Sequence, residues 1–264
     1  MKIVCLKGGL GNQMFEYCRF RDLMESGHDE VYLFYDHRRL KQHNGLRLSD
    51  CFELELPSCP WGVKLVVWGL KICRAVGVLK RLYDDEKPEA VLIDDYSQHR
   101  RFIPNARRYF FFRQFLAELQ SGFVQMIRAV DYPVSVHVRR GDYLHPSNSS
   151  FGLCGVDYFQ QAIAYVRKKR PDARFFFFSD DMEWVRENLW MEDAVYVEHT
   201  ELLPDYVDLY LMTLCRGHII SNSTFSFWGA YLAVDGNGMK IYPRRWFRDP
   251  TWTSPPIFSE EWVG

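Results

Sequence analysis

Val134-Ser135-Val136-His137-Val138-Arg139-Arg140-Gly141-Asp142-Tyr143 holds the transition that decides the fold, from an alternating apolar run to a turn carrying two arginines. Period-two alternation through Val138 reads as a half-buried strand, and Gly141-Asp142 reads as the turn that ends it. Two guanidinium groups at the carboxyl end of an α/β strand suit an oxyanion such as phosphate, because each can fork two hydrogen bonds onto it. Solvated turn residues paired with Asp142 would give the same pattern, so both readings stand at this point.

Working outward, strands and helices alternate. After the 134–138 strand the pattern predicts helices over 157–169, 182–189, 206–216 and 225–234, with strands over 174–178, 194–197, 218–221 and 240–242 between or after them. Such alternation implies a parallel sheet with crossover helices. Upstream, Ile3-Val4-Cys5-Leu6 reads as a strand that turns through Gly8-Gly9-Leu10-Gly11 into a helix beginning near Asn12 and reaching Met24. Strands are expected at 31–35 and 90–93, with a polar loop at 84–89 and a domain boundary between Phe123 and Tyr132. Residues 61–82 read as a helical stretch, with Lys64, Lys71, Arg74 and Arg81 near one face and Leu65, Trp68, Ile72 and Leu79 elsewhere. A basic amphipathic helix can lie on an anionic membrane surface; the commoner reading is the solvated side of a packed helix, and Gly69 and Gly77 weaken this one.

The chain of 264 residues is long enough for one α/β domain or two smaller ones, and 16% aromatic residues argue against disorder. A formal net charge of −1 removes any whole-protein case for nucleic-acid binding, so a basic site must be local. The cysteines, Cys5, Cys18, Cys51, Cys59, Cys73, Cys154 and Cys215, form no C-x-x-C pair. That odd, scattered set reads as reduced thiols rather than a disulfide framework or zinc site. The opening strand is too short for a signal-peptide core and no apolar run reaches membrane-spanning length, so the expectation is a cytoplasmic protein, with the inner membrane surface as a place of contact through 61–82.

In parallel sheets ligands sit beyond the carboxyl ends of the strands, and four strand ends carry small or polar residues: 8–13, 137–142, 179–181 and 221–226. Gly9-x-Gly11 supplies backbone N–H groups at a helix start. It lacks the third glycine of a dinucleotide fingerprint, Met14 standing there, although Asp36 after the second strand mimics the ribose-binding acid. Ser179-Asp180-Asp181 reads either as a helix cap with a negative first turn or as a ribose-hydroxyl acceptor. Ser223 and Thr224 at a helix start suit phosphate. His137 is either a satisfied core histidine or a ring facing a ligand base. Asp208, within an apolar helical run, is either solvent-facing or buried with a partner. Asn148-Ser149-Ser150 and Asn222-Ser223-Thr224 match glycosylation sequons, and Arg140-Gly141-Asp142 spells an adhesion tripeptide; without an export signal these read as incidental.

Taken together and in this order, Lys7-Gly8-Gly9-Leu10-Gly11-Asn12-Gln13-Met14-Phe15, His137-Val138-Arg139-Arg140-Gly141-Asp142-Tyr143, Phe178-Ser179-Asp180-Asp181, Asp208-Leu209-Tyr210-Leu211-Met212 and the run from Ile220 to Ala230 resemble the α-1,2-fucosyltransferases of glycosyltransferase family 11. The resemblance runs from Gly8 to about Trp246. It implies a GT-B-like α/β fold of two facing Rossmann-like domains with parallel sheets. Residues 1–125 would be the acceptor-side domain with a helical insertion, and 126–264 the GDP-fucose-binding domain and tail. The implied reaction moves L-fucose from GDP-β-L-fucose to the 2-hydroxyl of a galactose in a glycan, with inversion and with neither a metal nor a cofactor.

By motif position, the resemblance implies that Arg139 binds the pyrophosphate, with Arg140 either assisting or pairing within the protein. His137 and Asp208 would contact guanine, Asp180 or Asp181 the ribose, and Ser223 and Thr224 the phosphates. Gly9 and Gly11 would shape the turn from which Asn12 faces the fucose or the glycosidic oxygen. Stabilising the departing GDP is the main catalytic task. An inverting enzyme ordinarily uses a base; Asp142 is the acid nearest the arginines, and holding them in place is its competing role. Two other readings remain at this stage: an NAD-dependent oxidoreductase built on Gly9-x-Gly11 and Asp36, and a non-enzymatic glycan-binding module. The natural acceptor and the oligomeric state are left open by the sequence.

Overall fold

The computed structural model describes residues 1–264 except 42–43, 85–86, 120–121, 146–149 and 199–202, and the backbone alone at Arg39. The chain divides into two compact units, Met1–Arg113 and Gln114–Gly264. Asp85, Glu86 and the Asn148-Ser149 part of one sequon lie outside the described residues.

The first unit runs β1 (Lys2–Leu6), α1 (Leu10–Glu25), β2 (Val31–Tyr35), α2 (His37–Leu40), α3 (Leu48–Cys51), α4 (Trp61–Ala75) and β3 (Leu92–Ile93). Its strands form a parallel sheet in the order β2-β1-β3. β1 is buried from Ile3 to Leu6, as a central strand covered on both faces must be. Gly8, at φ +69°, turns the chain out of the strand, and α1 begins at Leu10 with Gly9 as its N-cap, a little earlier than Asn12. α4 seats Val63, Val67 and Leu70 against Ile3, Cys5, Phe34 and Leu92. The helix expected over 61–82 stops at Ala75, because Gly77 (φ +75°) and Leu79 (φ +54°) take left-handed backbone before a short 3-10 turn at Lys80–Leu82.

The second unit runs α5 (Gln114–Ala117), α6 (Gly122–Arg128), β4 (Tyr132–Val138), α7 (Val156–Lys169), β5 (Ala173–Ser179), α8 (Met182–Asn188), β6 (Val195–Tyr196), α9 (Tyr206–Thr213), β7 (Gly217–Ile219), α10 (Thr224–Tyr231) and β8 (Lys240–Ile241). All five strands are parallel, in the order β6-β5-β4-β7-β8. The division between units falls at Arg113 rather than near 125. The stretch from Phe123 expected to hold the domain boundary begins with the body of α6, which buries Val124 and Ile127 and packs against α9. The aromatic tail closes over α10, where Phe227 stacks on Trp262 at 5.3 Å and Tyr242 stacks on Phe258 at 3.9 Å. All seven cysteines are free thiols.

β4 is buried on both faces and not half-buried, since its alternation separates two kinds of interior. Val134, Val136 and Val138 share one face with Phe175, Phe177 and Phe159. Ser135 and His137, on the opposite face, pair with residues brought by β7: Ser135 Oγ lies 2.8 Å from His218 Nδ1, and His137 Nδ1 lies 3.0 Å from Ser221 Oγ. Burial is the main cause that pushes both imidazoles down, His137 to about 4 and His218 to about 3, so both are neutral near neutrality. The nearby Lys240 charge adds to the depression of His218.

These depressed values fix a sign for the pH dependence of stability. The unfolded chain takes up these protons as pH falls below the ordinary value of 6.5, whereas the folded chain resists until about 4 or about 3. Each histidine therefore contributes stability that is present above 6.5 and is lost as pH falls, at up to about 1.4 kcal/mol per pH unit. Buried Glu16, pushed above the usual carboxylate range chiefly by burial, acts in the opposite sense. Urea titrations of wild type and His218→Gln between pH 6.5 and 4 check this: the variant should lose about one proton's worth of slope, and an unchanged slope would contradict the neutral, buried assignment.

Candidate active site

In the second unit the chain steps outward from β4 through β5 to β6 and then returns to β7 on the other side of β4. Segments leaving β4 and β7 therefore diverge, and open α/β sheets bind ligands at such a switch point. The His137 to Ser221 hydrogen bond spans it. His137 is buried, and its ring lies 5.7 Å from that of Phe225 in the first turn of α10. A neutral imidazole there can accept or donate according to its tautomer.

The register Val138↔Ser179 between β4 and β5 brings the two arginines beside the two aspartates. Arg139 bridges two carboxylates, Asp180 at 2.9 Å and Asp142 at 2.8 Å. Asp180 Oδ1 also accepts the backbone N–H of Arg140 at 2.8 Å. Arg140 itself is committed to the protein: its Nε donates to Asp181 at 3.0 Å and its guanidinium lies 4.0 Å from the ring centroid of Trp184. Asp181 in turn caps α8 by accepting the Trp184 N–H at 3.2 Å. For Arg140 and Asp181 the pairing and capping alternatives are thus the ones the side chains adopt. Arg139 and Asp180 remain at the rim, partly exposed, and Asp142 is the most exposed of the group at 44%. Gly141 leaves room for this arrangement, since a Cβ there would lie 2.7 Å from Asp180 Oδ2.

Beyond β7, Ser221, Asn222 and Ser223 are all buried. Ser223 is the N-cap of α10 by position, yet its side chain makes no capping bond, and Thr224 opens the helix half-buried. The helix start presents backbone N–H groups and a positive dipole end. Asp208 lies half-buried in the first turn of α9, which packs closely on α10: a Cβ at Gly229 would lie 3.0 Å from Met212 Cβ. Asn222 donates to the carbonyls of Gly152 and Trp246 at 2.6 and 2.7 Å, so this sequon asparagine is an internal tether. A cavity of about 1070 Å³ is lined by Tyr143, Gly152, Tyr158, Arg244 and Arg248 among others. It includes none of His137, Arg139, Asp180 or Ser223, and the convergence of charge at the switch point weighs more than cavity size in locating the chemistry.

Gly9, Gly11 and Asn12 belong to the first unit, where they form a second cluster at the ends of β1 and β3. Asn12 Oδ1 accepts from Gln98 Nε2 at 2.9 Å, and Asn12 Nδ2 occupies the space that a Cβ on Gly8 would need. Gln13, fully buried, donates to the carbonyls of Gly8 and Gly45 and accepts from the Arg47 N–H, which ties the glycine turn to the 45–47 loop. Glu16 accepts the Lys7 N–H at 2.8 Å, and Asp95 accepts both donors of Ser97. Asp36, the ribose-acid mimic, accepts the Arg38 N–H at 2.9 Å at the start of α2. Among the described residues no three His, Cys, Asp or Glu side chains form a metal-binding group.

Sequence reasoning did not reach Trp184, Ser221, Gln98 or Asp95 as supports of these clusters. Trp184 and Ser221 were legible only as a helix residue and a strand end. Gln13 and Glu16 carried a signal, being polar residues three apart on an otherwise apolar helix face.

The chain is 28% identical to an α-1,2-colitosyltransferase of Escherichia coli over 98% of this chain and 96% of that protein. It is 25% identical to the O-antigen biosynthesis glycosyltransferase WbnK of Escherichia coli over 92% and 94%. A human galactoside α-(1,2)-fucosyltransferase 1 is 35% identical over 42% of this chain and 33% of that protein. The crystal structure of the fucosyltransferase NodZ from Bradyrhizobium superposes with a TM-score of 0.52 at 14% identity, covering 88% of this chain and 92% of that one, a likeness that shows the GT-B-like fold alone. Residues 105–264 match the model of glycosyl transferase family 11, and the chain belongs to that family.

Proposed function

We propose that the chain is an inverting, metal-independent galactoside 2-α-L-fucosyltransferase that takes GDP-β-L-fucose as donor and a galactose-terminated glycan as acceptor. The observation that carries this reading is Arg139, held at the switch point between two carboxylates with its guanidinium at the rim. As the bond from fucose to phosphate lengthens, negative charge collects on the departing GDP. Arg139 neutralises it with help from the α10 N–H groups and the Ser223 and Thr224 hydroxyls, each good donor being worth about 3 kcal/mol in the transition state. The pyrophosphate displaces Asp142 from Arg139; exposed ion pairs of this kind contribute only ~0–1 kcal/mol, so the exchange costs little. Asp180 stays behind Arg139 and turns its remaining lone pairs to the ribose hydroxyls. His137, neutral, and Asp208 take the guanine edge.

In the first unit Asn12, fixed by Gln98, faces the fucose or glycosidic oxygen, and that unit holds the acceptor. In this reading Asp142 holds Arg139 before the donor binds, gives it up to the pyrophosphate, and is not the base. Proton removal from the acceptor hydroxyl comes late, to a phosphate oxygen or water, as a loose oxocarbenium-like transition state permits. WbnK acts in O-antigen biosynthesis by name, which supports a bacterial surface-polysaccharide unit as the acceptor class.

A second donor is favoured by one observation. The full-length relative at 28% identity transfers colitose, which is fucose without its 3-hydroxyl. Offering GDP-fucose and GDP-colitose in parallel with a terminal galactoside decides between them. GDP release and an α-1,2-fucoside with the first donor support the proposal, and turnover with GDP-colitose alone overturns the fucose assignment.

The roles separate by mutation. Arg139→Ala should lower kcat by about a thousandfold with a folded product, whereas Asp142→Asn should keep most of its turnover. Gly141→Ala should weaken GDP binding by forcing Asp180 away from Arg139, since the new Cβ would lie 2.7 Å from Asp180 Oδ2. Near-normal turnover in Arg139→Ala, or loss of turnover in Asp142→Asn comparable to it, would contradict these assignments.

A further inference from the structure

α4 has an unexpected outer face. Val63, Val67 and Leu70 point into the core of the first unit. At about 3.6 residues per turn, the stripe Trp61, Leu65, Trp68 and Ile72 falls on the opposite side of the helix. Those four side chains are 63, 50, 47 and 65% exposed, and Val76 continues the stripe at 66%. The solvent side of this helix is therefore apolar, where an ordinary packed helix presents charge. Trp61 and Trp68 meet edge to face at 5.5 Å and form a single aromatic ridge. Val78 and Leu79, in the turn that ends the helix, are exposed as well.

Along the segment that carries this ridge the charges are of one sign. Between Leu56 and Tyr83 the chain carries Lys64, Lys71, Arg74, Lys80 and Arg81 and no acid. Arg74 is drawn back to Asp94 at 3.3 Å, and Lys71 lies 5.2 Å from the ring centroid of Phe34. Lys64, Lys80 and Arg81 have no such anchor on the protein among the interactions described. Two tryptophans on an apolar stripe, flanked by lysine and arginine, suit the water–lipid boundary, where the rings lie at headgroup depth and the cations meet anionic lipid. No helix among the described residues is long and apolar enough to cross a membrane, and α4 with 15 residues lies on the surface in this geometry.

We infer that the outer face of α4 and the turn that follows dock the first unit onto an anionic lipid bilayer. The site is independent of the donor chemistry assigned to the second unit. Its consequence is that the enzyme works along a membrane face and meets acceptors held there.

The test uses the full chain with vesicles of equal parts phosphatidylglycerol and phosphatidylcholine, against vesicles of phosphatidylcholine alone. The expected result is co-sedimentation with the anionic vesicles, a blue shift of tryptophan emission on binding, and release by high salt. Trp68→Glu with Ile72→Glu, both on the exposed stripe, should weaken binding by about tenfold or more while the melting temperature and GDP affinity stay unchanged. Reversing Lys64, Lys80 and Arg81 to Glu should abolish the preference for anionic lipid. Failure to bind either vesicle, or binding that survives both sets of substitutions, overturns the inference. A concentration-dependent dimer in the ultracentrifuge that is lost in the Trp68→Glu, Ile72→Glu variant would also overturn it, by giving the ridge to a second copy of the chain.

Discussion

The pairing of β4 with β5 is the interaction on which the site depends. Its register sets Val138 beside Ser179, so that the residues just past each strand, Arg139 and Asp180, meet at 2.9 Å. A slip of one residue would turn every side chain of β4 to the other face and part this pair. The phenylalanine run of β5 guards against such a slip, since Phe175 through Phe178 are all fully buried and each face of the strand has its own neighbours. Packing energy inside the sheet thus fixes where the charges at its edge stand.

Polar groups inside the sheet extend the same logic to β7. Ser135 with His218 and His137 with Ser221 are two rungs of buried pairing that hold β7 in line with β4. Satisfied polar pairs in a low-dielectric interior reward one alignment and penalise others. His137 belongs both to this internal pairing and to the proposed guanine contact, and the alternatives of core histidine and ligand-facing histidine are compatible. Arg140 and Asp181 serve the interior alone: the cation lies over Trp184 and the acid caps α8. Of the two arginines that open the site, Arg140 is therefore scaffold, and Arg139 keeps part of its guanidinium at the surface between Asp142 and Asp180.

Much of this was legible in the sequence because strand–helix alternation is a local signal. The elements from Val134 onward follow their apolar periodicity closely, and the strand-end positions of Arg139, Asp180 and Ser223 come with it. Three things were not legible. Residues from Phe123 looked like a boundary because α6 is short and its apolar residues, Val124 and Ile127, mean nothing until α9 is beside them. The two-sided burial of β4 was hidden because serine and histidine on a strand look exposed until partners arrive from β7. Likewise, which of the paired arginines and aspartates faces inward depends on Trp184, whose position is set by tertiary packing and not by any motif.

Calorimetric titration of GDP into wild type, Arg139→Ala, Asp180→Asn and the double variant tests the central claim most directly. If Asp180 acts both by holding Arg139 against the pyrophosphate and by accepting from the ribose, each single substitution should weaken GDP binding and the double should lose clearly less than the sum of the two, the shortfall being the shared Arg139–Asp180 contact. Full additivity of the two losses, or unchanged GDP affinity in Arg139→Ala, would contradict an arginine clamp positioned by the β4–β5 register.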